Sequence, residues 1–137
     1  MNVGFGASLR ERLLGIGAEI PELDLIVLFG STVGDRVHAG SDVDIAVLTD
    51  GVADLDALFL ALAPRLKSSR LDLVDLRHAG PLLAFEVARS GQVLFERAPS
   101  AFRRFQSLAC RRYADTQRLR NAQRRSIQVF LTAGPRR

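Results

Sequence analysis

Apolar and polar positions along this chain fall into two rhythms. An unbroken apolar run from Leu25 to Phe29, within a segment starting at about Leu23, predicts a buried strand. Asp42 and Asp44 open a second segment that continues as Ile45-Ala46-Val47-Leu48 and ends at the turn signal Thr49-Asp50-Gly51. Arg70 to Leu76 and Gln92 to Phe95 predict two more strands. Between them the period changes to that of a helix. Leu55, Leu58, Phe59, Leu62 and Leu66 recur at three- and four-residue steps over Asp54 to Lys67, with Pro64 near the end. Pro81 to Arg89 starts with the proline that suits a first helical turn and stops at Gly91. A helix from Ser8 to Ala18 is expected, capped by Ser8 with Glu11 three residues on, although Gly15 and Gly17 interrupt it. A long final helix is predicted from Ser100 towards Phe130. Its apolar stripe thins after Tyr113, so the later half has little to bury in its own domain. The pattern predicts an α/β (α+β) fold, a small mixed sheet with helices packed on it. Residues 1–98 are expected to form the core. Residues 99–137 are expected to be a basic helix packed on it or extending from it.

Composition narrows this picture in three ways. At 137 residues the chain suits one domain with a real core. Its apolar runs are too short to span a bilayer, and MNVGFGASLRER lacks the layout of a signal peptide. A single cysteine, Cys110, cannot form an internal disulfide, so a reducing cytoplasm is expected. The net charge of +4 hides an uneven distribution. From Arg97 onward there are eleven arginines and one acidic residue, Asp115; the preceding part has eight basic and fourteen acidic residues. An acidic body with a basic tail suggests that the tail meets nucleotide phosphates, RNA or an acidic protein surface.

The chemistry centres on Gly30-Ser31 and the Asp-x-Asp that follows ten residues later. Side chains alternate across a strand, so Asp42 and Asp44 share a face. Two carboxylates on one face repel unless a cation sits between them. Mg2+ suits such a site, because it keeps waters and substrate phosphate oxygens as further ligands. Gly30-Ser31 lets the backbone approach a phosphate, with N–H groups and a hydroxyl to hold it. A two-metal site wants one more carboxylate, and Asp72 and Asp75 both qualify by type, on opposite faces of their strand. Arg36 and His38 read as loop residues, Ser41 as a residue that orients Asp42, and His78 as a connector. Asp54 and Asp56 favour the positive end of a helix and are given no catalytic role.

Gly30, Ser31, Asp42 and Asp44, with an apolar strand on each side, resemble the nucleotidyltransferase superfamily that includes polymerase β. The segment from Leu71 to Phe95 is similar to its minimal, single-domain members. Most of the chain looks like the stand-alone MNT-domain antitoxins that pair with HEPN-domain ribonuclease toxins. The resemblance implies a polymerase-β-like fold and transfer of AMP from ATP to a tyrosine of the toxin, within a hetero-oligomer. It implies two Mg2+ ions on Asp42, Asp44 and a third carboxylate, for which it selects Asp72. Gly30 and Ser31 would hold the outgoing phosphates. Thr32-Val33 depart from the arginine that many relatives carry after Gly-Ser, so Arg36 or a tail arginine would have to grip the triphosphate. Two other outcomes stay open: an antitoxin acting by steric cover, and nucleotidyl transfer to a small molecule or RNA. Nucleic acid is not an expected partner, although the basic final helix leaves it possible.

Overall fold

A computed structural model describes residues 4–30, 42–68 and 70–132. Four strands form one sheet: β1 (Leu23–Phe29), β2 (Val43–Thr49), β3 (Leu71–Asp75) and β4 (Gln92–Glu96), in the order β3-β2-β1-β4. β1 runs antiparallel to both β2 and β4, whereas β2 and β3 are parallel, so the sheet is mixed as expected. Parallel neighbours need a crossover, and helix α3 (Leu55–Leu66) supplies it. Asp54 caps that helix, accepting the Ala57 N–H at 3.1 Å. Leu58, Leu62 and Leu66 of its stripe are buried, while Leu55 and Phe59 lie at the edge of the core.

The expected first helix is two. Helix α1 (Phe5–Arg12) and the short α2 (Ile16–Glu19) are separated by a turn in which Gly15 adopts φ +83°, a left-handed conformation that ends a helix. Nor does Ser8 cap α1: Gly4 does, and the Ser8 N–H already bonds the Gly4 carbonyl at 3.0 Å inside the first turn. The broken path still buries Leu9, Leu13 and Ile16 in one cluster.

Both faces of the sheet are covered. One face packs with α1, α2 and α3 through Ile26, Leu28, Ile45 and Val47. The other packs with α4 (Pro81–Ser90) and α5 (Ala101–Thr132) through Leu25, Val27 and Ala46. Burial on two faces explains why β1 reads as a continuous apolar run rather than an alternating one. Its phase flips once, at a register shift between Leu23 and Leu25, which sends these two leucines to opposite clusters. Gly91 ends α4 with φ −72°, so no left-handed turn is involved. Space is the reason for glycine there: a Cβ would collide with Val27 Cγ1 and the Val87 carbonyl.

The first half of α5 packs on α4. Ala101, Phe105 and Ala109 are buried, and Tyr113 stacks on Phe85 with ring centroids 4.0 Å apart. From Gln117 to Thr132 every residue is exposed.

Candidate active site

The end of β1 and the starts of β2 and β3 meet at one end of the sheet. Phe29 lies opposite Asp44 across the antiparallel pair, and Asp44 lies level with Asp72 across the parallel pair. Ala46 and Val74, two residues on in each strand, belong to the cluster under α4 and α5. Two-residue periodicity puts Asp44 and Asp72 on that same face. Asp42 precedes β2 and is exposed, as is Asp72; Asp44 is half-buried. Burial first, then the negative charges of Asp72 and Asp42, hold the Asp44 carboxyl above the usual aspartate range. Asp44 thus feels the charge of both of its neighbouring carboxylates.

Gly30 follows β1 with φ +82°, a conformation that L side chains rarely adopt. A Cβ at this position would also run into Asp44 Oδ2. Glycine here lets the chain turn against the carboxylate. Reading residues 30 and 31 only as a phosphate cradle missed this contact; its signal was the glycine directly after an apolar strand.

Asp75 does not join the group. It lies level with Val47, further along β3, and its Oδ1 accepts the Arg77 N–H at 3.0 Å, which makes it a turn residue. His78 follows in that turn, its Nε2 3.9 Å from Asp75 Oδ2. Ser31, Thr32, Val33, Arg36, His38 and Ser41 lie outside the described residues. Cys110 is an exposed thiol on α5.

Asp42, Asp44 and Asp72 offer carboxylate oxygens alone, the donor type that Mg2+ takes. Among the described residues no three His, Cys, Asp or Glu side chains close into a metal cage. Mg2+ does not require one, since it is commonly held by one or two carboxylates together with waters and substrate phosphates. An all-oxygen donor set whose charges repel one another fits that mode of binding.

Residues 11–100 match the family described as polymerase beta, nucleotidyltransferase. A curated relative, the protein adenylyltransferase MntA of Aphanizomenon flos-aquae, is 31% identical over 139 aligned positions, 91% of each chain. A solved toxin–antitoxin structure with AMP-PNP superposes with a TM-score of 0.70 at 31% identity, covering 87% of this chain and 98% of that one. Another, a tri-AMPylated HEPN toxin of Shewanella oneidensis in complex with MNT antitoxin, gives a TM-score of 0.66 at 29% identity over 90% and 98% of the two chains. Among the described residues no helix is long and apolar enough to cross a membrane. By the span of these matches and by its fold, this chain belongs to the polymerase-beta nucleotidyltransferase family and groups within it with the MntA protein adenylyltransferases.

Proposed function

We propose that this chain is a Mg2+-dependent, cytoplasmic antitoxin that transfers AMP from ATP to a tyrosine of a partner HEPN ribonuclease and thereby silences it. The observation that carries this reading is the register that sets Asp44 level with Asp72, with Gly30 turned against the Asp44 carboxylate. The relatives named above, an adenylyltransferase and an antitoxin in complex with an AMPylated toxin, support the choice of acceptor.

In the proposed reaction the tyrosine oxygen attacks the α-phosphorus of ATP. A phosphorus–oxygen bond forms to the tyrosine, the bond to the β-phosphate bridge breaks, and pyrophosphate leaves. Asp42 and Asp44 would hold Mg2+, and Asp72 would help to hold it and would take the tyrosine proton. When bound, Mg2+ supplies charge neutralisation for the attacking and leaving oxygens. Gly30 brings backbone close to the outgoing phosphates, next to Ser31. The exposed half of α5, with Leu119, Ile127 and Phe130 open to solvent, is assigned to partner docking.

That exposed helix also favours a second reading, in which the chain covers its toxin without modifying it. One experiment separates the two. The partner is incubated with Mg2+, ATP and either this chain or its Asp44→Ala form, and its intact mass is measured. The expected result is a gain of whole AMP units with the unaltered chain alone. A tight complex with no mass gain would establish steric cover. Transfer retained by Asp44→Ala would refute the assignment of the carboxylates.

A further inference from the structure

At the end of the sheet away from Asp44 lies a cleft of about 480 Å³, beneath the first half of α5. It is reached from Asp44 by passing Ala46 and Leu48 along β2, roughly 13 Å at the rise of an extended strand. Four arginines line it, Arg77, Arg97, Arg104 and Arg112, with a single acidic residue, Asp24. Elsewhere in the fold Arg89 pairs with Glu86 and Arg118 with Asp115, one carboxylate to one guanidinium. In the cleft four cations share one anion, which stands 4.0 Å from Arg97.

Two of the four are held in place by backbone. Arg97 donates to the carbonyls of Leu23 at 2.8 Å, Gly17 at 2.8 Å and Ile20 at 3.0 Å. Arg112 donates to the Ala79 carbonyl at 3.3 Å. Carbonyls orient a guanidinium without cancelling its charge. The cleft therefore carries an excess of positive charge before any ligand arrives. Its remaining walls are apolar: Leu48, Leu76, Phe105 and Leu108.

We propose that this cleft binds the phosphate-bearing end of a nucleotide, separately from the carboxylate site. Forked guanidinium donors match phosphate oxygens, and the apolar walls suit a base. A bare phosphate would leave those walls wet, and an apolar ligand would leave most of the positive charge uncompensated. The volume lies within the range of small-ligand pockets, about 300–1,000 Å³. Such a ligand is either a free nucleotide or the 5′ end of an RNA. The proposal does not depend on the transferase reading.

The test is calorimetric titration of the intact chain with AMP, with adenosine and with 5′-phosphorylated hexa-adenylate, in EDTA so that no cation bridges a phosphate to the carboxylates. AMP is expected to bind and adenosine not. Arg77→Ala combined with Arg104→Ala should weaken AMP by roughly a hundredfold, about tenfold for each lost charge-assisted contact. Neither side chain is shown tying distant backbone: Arg104 reaches Ser100, just before its own helix. Asp44→Asn should bind AMP as the unaltered chain does. Hexa-adenylate binding tighter than AMP assigns the cleft to RNA ends; AMP binding equally or more tightly assigns it to free nucleotides. The proposal is overturned if neither phosphate ligand binds, if adenosine binds as well as AMP, or if the double variant binds unchanged.

Discussion

Gly30 and Asp44 sit against each other at the rim of the site, and each constrains the other. Gly30→Ala would force a Cβ into the Asp44 carboxylate and place an L side chain at φ +82°. A loss of about 1–2 kcal/mol is expected from the backbone conformation alone, read by denaturant unfolding, together with loss of transfer. The Asp44 charge has its own signature. Burial, Asp72 and Asp42 raise this carboxyl, so the fold favours its protonated form. Its stabilising contribution is complete below the ordinary aspartate range and is lost as pH rises through the raised value. Above that raised value and without metal, the Asp44 charge therefore opposes the fold. Asp44→Asn should melt higher than the unaltered protein in EDTA at pH 7, and the gap should close on acidification. Added Mg2+ should raise the melting temperature of the unaltered chain and leave the variant where it is. Equal melting of the two at pH 7 would mean that the carboxylates are not coupled.

At the scale of elements, most of the strands and helices were legible because their burial is simple. β1 runs over Leu23–Phe29 as the apolar pattern predicts, and α3 and α5 differ from expectation only at their ends. The N-terminal helix was misread because Ser8 and Glu11 fit a capping pattern, whereas Gly15 carries the backbone reversal that divides the segment. Lys67 ends α3 with φ +53°, and it is the sole non-glycine among the described residues with positive φ. Lys67→Gly is expected to stabilise the protein by about 0.5–1 kcal/mol, the relief of the left-handed strain less the added freedom of the unfolded chain. Thermal unfolding at matched pH checks it. The far half of α5 contributes little to its own domain, since from Gln117 onward it is exposed. Ending the chain after Arg120 should shift the melting temperature by no more than about 2 °C, the scale of a solvent-exposed change. A larger drop would show that the exposed half is packed in solution.

For the molecule as a whole, the amino-acid order by itself determined the strands and most of the helices, the pairing of Gly30 with a following Asp-x-Asp, and the split between an acidic body and a basic C-terminal segment. These follow from local periodicity and composition, which short windows of sequence carry. Residue type alone left Asp72 and Asp75 open as the later carboxylate, the family resemblance selected Asp72, and the tertiary structure sets Asp72 level with Asp44. Asp72 and Asp75 are chemically alike, and only the parallel register of β2 and β3 puts one level with the site and the other in a turn. The same holds for the arginine cleft. Arg77 follows β3, Arg97 follows β4, and Arg104 and Arg112 lie on α5; no spacing along the chain foretells that they share a wall. Strand order, register and helix docking are set by the burial of apolar faces distant in sequence. A local pattern shows which face a residue occupies, and packing determines what that face meets.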